Sequence, residues 1–120
     1  MTAIEGTRIL LVEDEPIIAM TAEDMLEELG CPVVMSVASL PEALAAAERE
    51  DYDAAMLDIN LNGVDSLPVA ALLKRLERPF IFTTGYGVAG CGEHADVPLV
   101  TKPYQLADLA GALERALGRS

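Results

Sequence analysis

The 120-residue sequence predicts a three-layer α/β domain built around a five-stranded parallel sheet. Five apolar runs alternate with segments of helical periodicity, and most of the runs are short enough to be strands buried on both faces. Parallel neighbours need long crossovers, usually helical and nearly always right-handed, which the intervening segments can supply. A chain of this length fits one domain, residues 1–120, and folding should bury roughly two-thirds of the surface that the unfolded chain exposes. The sequence has no internal repeat, linker or low-complexity tail.

Residues 8–13 form the first strand. Pro16 suits the first turn of a helix whose Ile18, Ala22, Met25, Leu26 and Leu29 recur at three- and four-residue steps, with Gly30 as its stop. Residues 32–37 are the second strand, and Ser39-Leu40-Pro41-Glu42 has the Ser-x-x-Glu form of a capping box before an Ala-rich helix to about Glu50. A third strand spans 52–58, a polar turn 60–63, and a third helix about 66–76, with Leu67, Ala71 and Leu72 on its expected inner face. Phe80–Thr84 is the fourth strand and Leu99–Thr101 the fifth, and a last helix from about Gln105 carries Leu106, Leu109, Leu113 and Leu117. Between those strands, Gly85, Gly87, Gly90 and Gly92 weaken the helical pattern, since each glycine costs about 1 kcal/mol relative to alanine. A helix there is expected to be short or mobile.

Eight Lys and Arg against 20 Asp and Glu leave a net charge of −12, which repels a phosphate backbone and argues against nucleic acid as a partner. The longest apolar runs fall well short of the ~20 residues that span a bilayer, and the N-terminus lacks the basic flank and apolar stretch of a secretion signal. No membrane is expected and the cytoplasm is the default compartment. Cys31 and Cys91 stand 60 positions apart with no CxxC spacing and read as isolated reduced thiols. His94 reads as a solvated side chain in the glycine-rich stretch.

In open parallel sheets, ligands bind beyond the carboxyl ends of the strands, and that is where the polar residues fall. The first strand ends at Glu13-Asp14-Glu15, the third at Asp58, the fourth at Thr83-Thr84 and the fifth at Thr101-Lys102. Carboxylates held together repel unless a cation or proton offsets their charge. Magnesium suits such a site, being a hard ion that prefers oxygen ligands and needs only one or two carboxylates.

Four runs then carry a specific resemblance: Leu10-Leu11-Val12-Glu13-Asp14-Glu15-Pro16, Leu57-Asp58-Ile59-Asn60-Leu61-Asn62-Gly63, Phe82-Thr83-Thr84-Gly85 and Thr101-Lys102-Pro103. In content and order they resemble the signatures of response-regulator receiver domains of two-component signalling, and the resemblance covers essentially the whole chain. It implies a flavodoxin-like fold with strand order 2-1-3-4-5 and about five helices. By the same resemblance Asp58 is the phosphoryl acceptor, Glu13, Asp14 and Asp58 hold Mg2+, and Asn60 offers the metal its backbone carbonyl. Lys102 supplies a second cation and Thr84 hydrogen-bonds a phosphoryl oxygen. The implied partners are a histidine kinase or histidine phosphotransfer protein and a downstream protein. Thr84 is expected to move toward the new charge and bias the 85–92 loop.

Two positions depart from the common pattern. Leu99 stands three residues before Lys102, where many receivers carry an aromatic switch residue. The run Phe82-Thr83-Thr84-Gly85-Tyr86 resembles instead a subgroup with a Phe-x-Thr-Gly-Tyr run, in which Tyr86 either takes the aromatic switch role or covers an apolar patch. Lys102-Pro103 resembles a family site with a cis peptide.

Competing classes fare worse. Gly85-Tyr86-Gly87-Val88-Ala89-Gly90 matches GxGxxG, but it follows the fourth strand, lacks room for a full helix and has no strand-end acid about twenty residues on. An aspartyl-phosphate phosphatase would share magnesium and an Asp nucleophile, but Asn60 stands where such enzymes carry their second Asp. Turnover of an external substrate is therefore not expected. A phosphate-independent receiver-like interaction module is the remaining alternative. With the sequence ending at Ser120 just after the last helix, the expectation is a stand-alone receiver whose output is another protein, contacted through the 85–92 region, the fifth strand and the last helix.

Overall fold

The computed structural model describes residues 4–85 and 96–118. Its main sheet comprises β1 (Ile9–Val12), β2 (Val33–Val37), β3 (Ala54–Asp58), β6 (Phe80–Thr84) and β7 (Leu99–Thr101), all parallel, in the order β2-β1-β3-β6-β7. A separate antiparallel ribbon, β4 (Asn60–Leu61) and β5 (Val64–Asp65), follows β3. With the ribbon set aside, the main sheet has the expected 2-1-3-4-5 order. Four helices are present among the described residues: α1 (Pro16–Glu28), α2 (Leu40–Arg49), α3 (Leu67–Arg75) and α4 (Leu106–Ala116). The expected short helix between β6 and β7 lies, from residue 86 on, outside the described residues, as do Tyr86, Cys91 and His94.

Local chemistry sets the helix starts. Pro16 opens α1, and the Ser39 hydroxyl accepts from the Glu42 N–H at 3.3 Å while donating to Glu42 Oε1 at 3.0 Å, so Ser39 and Glu42 cap α2 as a pair. Side-chain alternation along the strands then divides the core in two. Leu10, Val12, Ala55, Leu57 and Phe82 pack with Ala43, Ala47, Val69 and Leu73 of α2 and α3. Ile9, Leu11, Ala54, Met56 and Ile81 pack with Ala22, Leu26, Leu109 and Leu113 of α1 and α4. Each such Leu or Ile contributes about 1.5–3 kcal/mol of burial.

One inner-face expectation needs correcting. Ala71 is exposed, whereas α3 buries Leu72, as expected, together with Val69, Ala70 and Leu73. At 100° per residue those four share one arc, and Ala71 points to its opposite side. Among the described residues, no helix is long and apolar enough to cross a membrane.

Candidate functional site

Strand register brings the polar strand ends together. Val12 pairs with Leu57 and Asp58 with Thr83, so Glu13, the next residue after β1, lies beside the end of β3. Thr84 pairs with Thr101, and the Lys102 N–H donates to the Thr84 carbonyl at 2.8 Å, placing the lysine across from Asp58. The Lys102–Pro103 peptide is cis, as expected.

The resulting cleft has a volume of about 380 Å3 and is lined by Asp14, Asp58, Thr84, Lys102 and residues of the β4–β5 ribbon. Lys102 Nζ lies 2.8 Å from Glu13 Oε1 and 3.0 Å from Asp58 Oδ2, tying two buried carboxylates to one ammonium. The second oxygen of Asp58 accepts from the Asn60 N–H at 3.2 Å, and the second oxygen of Glu13 from the Glu15 N–H at 3.1 Å. Asp14, less buried, accepts from the Asn62 N–H at 3.1 Å. One oxygen from each of Glu13, Asp14 and Asp58 lies within 4.8 Å of the others.

Burial dominates the electrostatics. It pushes the Asp58 carboxyl up to about 7, with the Glu13 charge acting in the same direction and the hydrogen bond from Lys102 opposing both. Burial alone would lower Lys102, but its hydrogen bonds to Glu13 and Asp58 outweigh that and hold the ammonium above its ordinary range. Three carboxylates against one ammonium leave two formal negative charges, the amount that one divalent cation neutralises.

Known proteins resemble this chain in sequence and fold. The family model described as "response regulator receiver domain" matches residues 9–114. This chain belongs to that family. It is 39% identical over 123 residues to the transcriptional regulatory protein TcrA of Mycobacterium tuberculosis, a match covering 97% of this chain and 47% of that protein. The chain thus spans about half the length of the curated relatives it matches. Among solved structures, SdrG of Sphingomonas melonis Fr1 is 43% identical with a TM-score of 0.80, over 92% of this chain and 95% of that one. The receiver domain of sensor histidine kinase PA1611 from Pseudomonas aeruginosa PAO1 is 32% identical with a TM-score of 0.80, over 94% and 98% of the two chains. That structure has a magnesium ion coordinated in its active-site cleft.

The donor set of this receiver domain fits the same ion: hard carboxylate oxygens that nearly converge, a surplus of acidic over basic groups and an open cleft with room for water. Of the residues singled out in the sequence, Glu13, Asp14, Asp58, Asn60, Thr84 and Lys102 meet at this edge. Leu99 does not; it is half-buried and packs against the core on the α2 and α3 side.

Three contacts had no counterpart in the sequence reading. The Ser66 hydroxyl, fully buried, donates to the Asp58 carbonyl at 2.6 Å. Buried Tyr104 directs its hydroxyl to Glu13 Oε1 at 3.4 Å, and burial pushes that phenol up to about 12. The Asn62 contact to Asp14 depends on the ribbon, whose one available signal was Asn62-Gly63, the preferred dipeptide of a two-residue hairpin turn.

Proposed function

We propose that this receiver domain accepts a phosphoryl group on Asp58 from the phosphohistidine of a histidine kinase or histidine phosphotransfer protein. One observation carries the proposal: the buried Asp58 carboxylate is bridged by Lys102 to a second buried carboxylate, Glu13, at the open end of the sheet. A carboxylate oxygen of Asp58 forms the new O–P bond as the P–N bond breaks, and the imidazole departs with the electron pair. Lys102 is already at hydrogen-bond distance from Asp58, so its ammonium can follow the charge onto a phosphoryl oxygen without leaving the site. Thr84, buried at the cleft wall, carries the hydroxyl that would turn toward another phosphoryl oxygen after transfer. Bound between Glu13, Asp14, Asp58 and the Asn60 carbonyl, Mg2+ would neutralise phosphoryl charge during in-line transfer.

The site is suited to receiving a phosphoryl group rather than to turning over an external phosphoester. The Asn60 side chain stands two positions after the acceptor and offers no acid, and its Oδ1 accepts from the Gly63 N–H at 2.7 Å. With a net charge of −12, the output surface is read by a protein rather than by nucleic acid.

Intact-mass spectrometry after incubation with a small acyl-phosphate donor, with and without magnesium, tests the acceptor chemistry. The expected result is one labile phosphoryl adduct that needs both magnesium and Asp58 and is lost in Asp58→Asn. No adduct, even from a phosphorylated histidine kinase, points to a phosphate-independent interaction module.

A further inference from the structure

The β4–β5 ribbon is short, but it is fastened at both ends. Its two turn residues, Asn62 and Gly63, have φ of +54° and +80°, the backbone of a two-residue hairpin turn. A Cβ at Gly63 would meet nothing within 4 Å, so backbone conformation rather than space requires the glycine. Leu61 anchors the ribbon in the core, and at its base the Ser66 hydroxyl and N–H donate to the carbonyls of Asp58 and Ile59. At the far end of the ribbon the Asn62 N–H meets Asp14 Oδ2 from 48 positions away in sequence.

Asp14 is the one partly exposed carboxylate of the three, and Lys102 bonds the other two but not Asp14. A side chain in that position samples several rotamers unless something holds it. We propose that the hairpin tip is the positioning element for Asp14: the Asn62 N–H holds one oxygen so that the other faces the cleft, and the Asn62–Gly63 turn thereby sets the affinity of the site for a divalent cation. This rests on the magnesium-dependent reading above. Groups that orient a metal's carboxylate ligand typically change affinity by about 10- to 100-fold, and partial exposure puts this one at the lower end.

Magnesium titrations followed by calorimetry and by amide NMR test it, on wild type, Asn62→Gly, Asn62→Pro, Asp14→Asn and the double variant Asp14→Asn/Asn62→Pro. Glycine keeps both the N–H and the positive φ; proline keeps neither. The expected result is affinity within about twofold of wild type for Asn62→Gly and a loss of about tenfold for Asn62→Pro. In the Asp14→Asn background the proline should add no further loss, because Asn62 acts through Asp14. In wild type, the Asn62 amide resonance should respond to Asp14→Asn, a readout that does not require the proline variant to fold. Unchanged affinity in Asn62→Pro, equal losses in both backgrounds, or an Asn62 amide indifferent to Asp14→Asn each overturns the proposal. Wild type that takes neither magnesium nor a phosphoryl group overturns the underlying reading itself.

Discussion

The two edges of the sheet carry the same arithmetic, one cation between two carboxylates, in opposite surroundings. At the carboxyl edge Lys102 meets Glu13 and Asp58, with side chains 14%, 1% and 6% exposed. At the amino edge Arg8 meets Asp51 and Asp53 at 2.8 and 3.0 Å, with side chains 39%, 83% and 40% exposed. Water screens the second group, so its bonds fasten the start of β1 to the start of β3 and do little else. The first group is desolvated. Its charges cannot relax into solvent, and the surplus negative charge appears instead as a raised Asp58 carboxyl and a demand for a cation.

That contrast predicts its largest effect at Lys102. Lys102→Met leaves Glu13 and Asp58 facing each other without an ammonium, and removing one partner of a buried ion pair costs about 3–5 kcal/mol. Urea unfolding of metal-free protein at neutral pH should show a loss of that order, partly recovered by magnesium or by acid, since either offsets the stranded charge. A loss no greater than at an exposed pair would erase the distinction between the edges.

Asp58→Asn should act in the other direction. The folded carboxyl titrates at about 7, above its ordinary 3.8, so the folded state holds a proton that the unfolded chain has released between those values. Stability contributed by that proton is full below the unfolded value and is lost as pH rises through about 7. The amide carries no charge to desolvate, so Asp58→Asn should stabilise metal-free protein on the order of 2–4 kcal/mol at pH 8 and have little effect near pH 4. A stability difference that does not change with pH would mean that burial does not govern this carboxylate.

How far the sequence reveals these regions follows from the range of the interactions. Strands buried on both faces leave contiguous apolar runs, so the main sheet is legible, and the polar residue after each run marks the site edge at Glu13, Asp58, Thr84 and Lys102. The ribbon is hard to see because two-residue strands are too short to show a period; only its turn dipeptide gives a sign, and that reads equally as a plain turn. Ser66 begins a helix in either reading, and nothing local says that its hydroxyl reaches back to Asp58. Tyr104 is nearer the opposite case: it follows Lys102-Pro103 directly, yet its partner Glu13 is 91 positions away. Contacts closed only by the fold leave no trace in spacing.

At the amino edge the smallest effect is expected. Arg8→Gln removes the guanidinium, but the Arg8 main-chain N–H still donates to Asp53 Oδ2 at 2.8 Å, and that bond needs no particular side chain. What is lost is Coulombic and exposed, so it should fade as ionic strength rises and the screening length falls from roughly 10 Å at 0.1 M to about 3 Å at 1 M. Thermal melts across that range in monovalent salt should show a small difference from wild type at low salt that closes at high salt, whereas the Lys102→Met difference should largely persist because buried charges are screened much less. If the Arg8 deficit instead persists at high salt, the guanidinium stem is packing rather than pairing, and the two edges differ less than their exposures imply.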